Sequence, residues 1–213
     1  LVISVYNEEA VLEKFYNAFC NIEQDLKYGG ENELIFVNDG STDASMNILE
    51  VIAQQNKNVR VISFSRNFGH EAAMIAGIDH AAGDVIICMD ADLQHPLECI
   101  APIMAKFEEG YEVISMVRTS NKSAGAIKNF TSRAFYRVIN ALSDQVKLEE
   151  NASDFFAISS RVADVLRTNY REKTRFLRGY VQSVGFRKTT LEYTAAERAG
   201  GASHHTLKKL MNF

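Results

Sequence analysis

Apolar and polar positions alternate in blocks along this chain. Leu1–Val5 is a short β-rich run that predicts a strand. From Glu8 to about Leu26, the residues Val11, Leu12, Phe15, Ala18, Phe19 and Ile22 recur at helical spacing, and Gly29-Gly30 ends the unit. Glu33–Val37 predicts a second strand, Asp39 to Asp43 a turn, and Ala44 to Gln54 a helix. Val59–Phe64 predicts strand, Phe68 to His80 an Ala-rich helix, and Asp84–Met89 a strand that runs into an acidic turn. Pro96 to Glu109 reads as helix and Tyr111–Met116 as strand.

Strands alternating with helices predict an α/β layer built on a largely parallel sheet. Ligands of such sheets gather at the carboxyl ends of the strands. Tyr6-Asn7-Glu8, Asn38-Asp39 and Asp90-Ala91-Asp92 all fall at such ends. Asp90 and Asp92 are one residue apart, so in an extended segment both side chains point to one side and converge on one ion. Gln94 would add a neutral oxygen in the same register before Pro96 stops the segment. Hard oxygen ligands suit Mg²⁺ or Mn²⁺ sharing its shell with a phosphate. The blander alternative is a strand followed by a surface turn.

The second half differs. Between Arg118 and Ser143 lie Arg118, Lys122, Lys128, Arg133 and Arg137 and no acid, while Ile127, Phe130, Ala134, Val138 and Leu142 keep helical spacing. This predicts a basic amphipathic helix, packed on the domain or lying on an anionic membrane surface. Asp154–Ile158 predicts a strand, and Ser159 caps a helix to about Asn169. Thr174 to Gln182 reads as helix and Thr189–Thr194 as strand; Ala199–Ser203 is a Gly-containing loop, and a last helix starts at His204.

With 213 residues, 46% of them hydrophobic and only 2 Pro, the chain can bury a real core in one large domain. A formal net charge of −4 argues against a nucleic-acid partner. Cys20, Cys88 and Cys99 lack metal-ligand spacing and fit a reducing compartment. No run is long enough to cross a bilayer, and no signal peptide is visible. The chain opens in a strand with no initiator Met, as a piece of a longer protein would, and membrane segments beyond Phe213 are left open.

Several chemistries drop out. The turn after the first strand has no glycine, against a Rossmann dinucleotide site. No P-loop, zinc spacing or Ser–His–Asp set stands out. His70, His80 and His95 read as surface or helix-end residues, with His95 also placed to support a neighbouring metal ligand. What remains is a carboxylate–metal site beside an edge able to hold a nucleotide, with Asp39 a suitable acceptor for an imide N–H of a pyrimidine.

Val5-Tyr6-Asn7-Glu8-Glu9, Asn38-Asp39-Gly40-Ser41-Thr42-Asp43, Arg66-Asn67-Phe68-Gly69 and Asp90-Ala91-Asp92-Leu93-Gln94-His95-Pro96 together resemble the family 2 glycosyltransferases of GT-A fold. Thr131-Ser132-Arg133, Ser153-Asp154-Phe155, Arg175-Phe176-Leu177-Arg178-Gly179 and Glu197-Arg198-Ala199-Gly200-Gly201-Ala202-Ser203 resemble the branch acting on polyprenyl phosphates, the bactoprenol glucosyltransferases and dolichol-phosphate mannosyltransferases. Each motif alone is weak; the ordered set is specific and covers essentially the whole chain.

The resemblance implies a Rossmann-like nucleotide-diphospho-sugar transferase fold: a mostly parallel sheet with helices on both faces and a C-terminal amphipathic, juxtamembrane region. Residues 1–117 would form the nucleotide-sugar part of a single GT-A domain and residues 118–213 its acceptor side. Tyr6, Glu8 and Asp39 would hold base and ribose. Asp90, Asp92 and Gln94 would bind Mg²⁺ or Mn²⁺ on the donor diphosphate, with Asp90 also part of the nucleotide-sugar site. Arg178, Arg198 and Ser203 would contact the phosphates, Asp154 would be the catalytic acid residue near the acceptor, and Arg118 and Arg133 would meet the acceptor phosphate. The implied reaction moves a hexose, with inversion, from a nucleotide sugar to a polyprenyl phosphate at the cytoplasmic face of a membrane, for cell-envelope glycans. UDP-glucose is the favoured donor, with UDP-GlcNAc and GDP-mannose open. A soluble saccharide or protein acceptor, a non-catalytic nucleotide-binding module and a nucleotidyltransferase are the alternatives, and a homo-oligomer is left open. Two departures stand out. Ser4 replaces the family's usual Pro, which is expected to matter little, and His204-His205 replaces a usual Lys-Tyr, removing a positive charge near the diphosphate at neutral pH.

Overall fold

The computed structural model describes residues 1–23, 31–119, 152–172 and 176–196. Their elements are β1 (Val2–Val5), α1 (Leu12–Glu23), β2 (Leu34–Asn38), α2 (Ser45–Gln55), β3 (Val59–Ser63), α3 (His70–His80), β4 (Val85–Asp90), a 3₁₀ turn (Leu97–Cys99) running into α4 (Ile100–Glu108), β5 (Val113–Arg118), β6 (Ala152–Ser159), α5 (Ser160–Asn169), α6 (Leu177–Ser183) and β7 (Lys188–Tyr193).

The strands form one seven-stranded sheet in the order β3-β2-β1-β4-β6-β5-β7. β3, β2, β1 and β4 are mutually parallel. β6 is inserted between β4 and β5 and runs antiparallel to both, while β5 and β7 are parallel. The sheet is thus mostly parallel, as expected. The reversed β6 was not legible, because hydrophobic periodicity carries no strand direction.

Helices cover both faces, which is why the central strands are apolar on both sides and every position of β2 is buried. Ile3, Val5, Phe36, Met89, Met116 and Phe155 pack beneath α1, α2 and α4. Val2, Val37, Ile86, Cys88, Phe156 and Ile158 pack beneath α3, α5 and α6. Among the described residues no helix is long and apolar enough to cross a membrane.

Three boundaries moved for local reasons. α3 starts at His70 and not Phe68: the Phe68 and Gly69 N–H groups donate to Asp39, and Gly69 sits at φ +101, outside helical space. α1 starts at Leu12, after a turn in which the Val11 N–H donates to the Glu8 carbonyl. The segment after Pro96 splits into the 3₁₀ turn and α4. Ser159 does cap α5, accepting from the Val162 N–H at 3.2 Å. Arg118 is the last residue of β5 and no part of a helix. The rest of the expected basic helix lies outside the described residues.

Candidate active site

The loops after β1, β2 and β3 are sewn together by polar side chains that satisfy backbone groups. The Asn7 N–H donates to Ser41 Oγ, and Asn7 Oδ1 accepts from the Thr42 N–H. The Glu8 N–H donates to Ser45 Oγ, the Glu9 N–H to Asp43, and the Ala44 N–H to Glu9 Oε2. Asp39 is buried, and both its oxygens accept: Phe68 N–H at 2.6 Å, Gly69 N–H at 2.9 Å and Asn67 Nδ2 at 2.9 Å. Gly40, at φ +66, lets the loop pass so close to the Arg66 backbone that a Cβ there would sit 2.3 Å from a carbonyl carbon. Glu8 belongs to this floor through its N–H, and Tyr6 lies on the same loop after β1. At its rim the Arg66 guanidinium lies 3.9 Å over the ring of Phe68, an exposed aromatic.

Next to this floor the sheet turns from apolar to polar by strand parity alone. Val2 pairs with Cys88 and Ser4 with Asp90 across β1 and β4. Cys88 pairs with Phe156 across β4 and β6. Carrying that antiparallel register on by two residues sets Asp90 opposite Asp154. Ser4, Asp90 and Asp154 therefore continue, at the carboxyl edge, the face that buries Val2, Cys88 and Phe156.

His70, the first residue of α3, spans these groups. Its Nδ1 lies 3.2 Å from Ser4 Oγ and 3.5 Å from Asp90 Oδ1, and its Nε2 lies 3.9 Å from Asp154 Oδ2. Arg178, in the first turn of α6, donates to Asp154 Oδ1 from Nη2 at 2.6 Å and from Nε at 3.2 Å. Glu71 braces this helix by accepting from the Leu177 N–H at 2.9 Å. Burial pushes the Glu71 carboxyl above its ordinary range despite that bond. Burial also works against ionised Asp154, but the Arg178 guanidinium, helped by His70, outweighs it and holds this carboxyl below the usual carboxylate range.

His95 supports the acidic turn from beneath. Its Nδ1 accepts from the Asp90 N–H at 3.1 Å, and its ring stacks on Phe155 and meets Tyr193 edge-on. Burial pushes its pKa down, against the pull of Asp90 and Asp92, so the ring is neutral with its proton on Nε2. β4 ends at Asp90, so the extended-segment reasoning stops there. Asp92 sits in a turn, buried, with Oδ1 accepting from the Gln94 N–H at 3.0 Å, and Leu93 takes the left-handed φ of +61 that the turn requires. Gln94 follows on the same turn, and its carbonyl accepts from the Ala196 N–H.

The structure thus brings together Asp90, Asp154 and Arg178, with Asp92 and Gln94 on the adjoining turn and Tyr6, Glu8 and Asp39 in the neighbouring floor. Arg118 ends β5, exposed and in register with Tyr193 of β7. Arg133, Arg198 and Ser203 lie outside the described residues. Sequence reasoning passed over His70, Glu71 and Ser4. The signal was there: His70 follows Arg66-Asn67-Phe68-Gly69 directly, where a helix start meets the carboxyl edge.

Among the described residues no cluster of three or more His, Cys, Asp or Glu side chains is arranged to hold a metal. Asp90 at the end of β4 and Asp92 on the turn that follows are too few ligands for an all-protein cage. They fit a hard divalent cation whose remaining ligands are phosphate oxygens and water.

The model of the family described as "Glycosyl transferase family 2" matches residues 1–167. An uncharacterized glycosyltransferase, YkcC, of Bacillus subtilis (strain 168) is 40% identical over 99% of this chain and 64% of its own length. A bactoprenol glucosyl transferase of Shigella phage SfV is 36% identical over 100% of this chain and 68% of its own length. The chain therefore spans about two thirds of these relatives. Among solved structures, glucosyl-3-phosphoglycerate synthase from Mycobacterium tuberculosis, crystallised with Mn²⁺, UDP-glucose and phosphoglyceric acid, superposes with a TM-score of 0.59 at 17% identity. That match covers 98% of this chain and 73% of the synthase and shows a shared fold.

Proposed function

The chain belongs to glycosyl transferase family 2, and on that premise we propose that it moves a hexose, glucose first among candidates, from a nucleotide sugar to a polyprenyl phosphate with inversion at the anomeric carbon. The observation that carries this reading is the convergence of Asp90 with the Asp154–Arg178 pair at the carboxyl edge, beside the knitted floor. The 36% identical bactoprenol glucosyl transferase supports the lipid acceptor and the glucose.

Asp90, Asp92 and Gln94 would hold Mg²⁺ or Mn²⁺. Bound there, a divalent cation offsets the charge that develops on the diphosphate leaving group. The solved synthase with Mn²⁺ and UDP-glucose supports the use of a divalent cation. Tyr6, Glu8 and the loop pinned by Asp39 shape the base and ribose pocket. An oxygen of the acceptor phosphate forms the new bond to the anomeric carbon as the bond to the nucleoside diphosphate breaks. That oxygen is already anionic at neutral pH, so no strong base is needed. Asp154 positions the acceptor. Its pairing with Arg178 keeps the carboxylate from repelling an incoming anion, and the guanidinium fork is suited to phosphate. Arg118, Arg133, Arg198 and Ser203 complete the phosphate contacts, and the basic residues between Arg118 and Arg137 suit work at the cytoplasmic face of an anionic membrane.

Incubating the full-length protein with UDP-glucose, UDP-GlcNAc or GDP-mannose, Mg²⁺ or Mn²⁺ and a short polyprenyl phosphate, and weighing the lipid product, tests this. A hexosyl phospholipid is expected, most strongly from UDP-glucose. Transfer only to soluble saccharides or protein would move the acceptor, and turnover undiminished by EDTA would remove the metal.

A further inference from the structure

His70 Nε2 is buried and has no hydrogen-bond partner among the described residues, although it sits within the cluster where the acids converge. A buried ring N–H left unsatisfied is costly, and where it persists it marks a group reserved for something else. Its neighbours say what that is. Asp154 Oδ2 lies 3.9 Å from Nε2, too far for a hydrogen bond. Ser4 Oγ, 3.2 Å from Nδ1, can donate its hydroxyl proton to the other nitrogen. Nε2 is therefore a donor in the neutral ring held by Ser4 and equally a donor in the imidazolium.

Resting on the transferase reading above, we propose that His70 Nε2 donates a hydrogen bond to a hydroxyl of the transferred sugar, which makes His70 a determinant of donor-sugar specificity. The chemistry of the surroundings selects a hydroxyl. A hydroxyl accepts from the N–H and donates to a flanking carboxylate, Asp90 or Asp154, so both needs are met by one group. A phosphate oxygen can only accept, and it would face two carboxylates across this ring. Position agrees: His70 touches the metal-side acid with one nitrogen and approaches the acceptor-side acid with the other. The sugar must lie between those two in an in-line displacement. Ser4, the residue that departs from the family's usual Pro, holds the ring in the tautomer that presents the donor.

Two substitutions separate the nitrogens. In His70→Gln the side-chain amide reaches the place of Nε2; in His70→Asn it reaches only the place of Nδ1. Calorimetric titration of the full-length protein with UDP and with UDP-glucose, each with Mn²⁺, gives the readout. In His70→Asn, UDP-glucose is expected to bind about ten-fold more weakly while UDP binds as before; His70→Gln is expected to recover most of the loss. Equal weakening of UDP and UDP-glucose would overturn the proposal in favour of a role at the diphosphate. Recovery by Asn and not by Gln would overturn it in favour of a structural link through Ser4. If the unaltered protein binds neither ligand, the transferase reading fails and this proposal with it. If it binds both and the variants discriminate nothing, only this proposal fails.

Discussion

Two aspartates at the same edge of the sheet have opposite fates. Asp39, after β2, is 1% exposed, and both its oxygens accept from the turn that precedes α3. Asp90, at the end of β4, keeps 35% of its side chain exposed, and its nearest basic nitrogens stand at 3.5 Å and 3.9 Å. The first carboxylate is tied into the architecture; the second is held in place by its backbone N–H bond to His95 and left open at its oxygens. The same contrast divides the whole edge. The β1–β2–β3 loops bind one another mainly through side chain-to-backbone bonds, while the β4–β6 region carries charges in long or ionic contacts. A rigid floor beside loosely committed charge suits a site that must orient one ligand and react with another.

Substitutions sharpen that division. The largest effect is expected from Asp90→Asn. Transfer should fall by about a thousand-fold as cation binding is lost, with the melting temperature nearly unchanged. An unfolded variant would break the distinction. Next comes Arg178→Ala, with transfer down about a hundred-fold. The pH dependence adds a sign. With Arg178 in place the folded Asp154 carboxyl lies below its unfolded value of about 4, so the pair contributes stability above that pH and loses it as pH falls through the folded value. Without Arg178 the largest influence opposing burial is gone, only His70 and His95 still act against it, and this carboxyl rises. The acidic limb of the transfer profile should then move to higher pH, and a limb that stays put would refute the pairing.

Asp39→Ala should cost about 2 kcal/mol of stability in urea unfolding, because buried donors at Phe68, Gly69 and Asn67 lose their acceptor. A variant as stable as the parent would show that Asp39 is not part of the floor. The smallest effect is expected at the surface pair of Arg171 with Asp79, 2.9 Å apart and exposed. Arg171→Ala should change stability by less than about 1 kcal/mol, measured the same way.

Much of this was legible in the sequence because the relevant signals are local. Alternation and helical spacing place the described strands and helices within a few residues, and Ser159 caps α5 as read. The acid pair after β4 is written as a run of residue types. What escaped depends on partners far apart in the chain. The reversed β6 brings Asp154 beside Asp90 through register, and no pattern within β6 states its direction. The bonds of Asp39 to Phe68 and Gly69 escaped as well, because they span about thirty residues. His70 is the helix-end residue it was expected to be, but its neighbours escaped for the same reason: Ser4, Asp90 and Asp154 come beside it only in the folded sheet. Ser4, expected to matter little, lies against that ring.

On the proposed reading, the open acid at the end of β4 grips the cation of a nucleotide sugar and the buried acid after β2 does not. Titrating Mn²⁺ in the presence of UDP, with the free ion followed by electron paramagnetic resonance, tests this most directly on the parent, Asp90→Asn and Asp39→Asn. UDP-dependent Mn²⁺ binding is expected for the parent, with loss in Asp90→Asn and retention in folded Asp39→Asn. Undiminished Mn²⁺ binding by Asp90→Asn would contradict it.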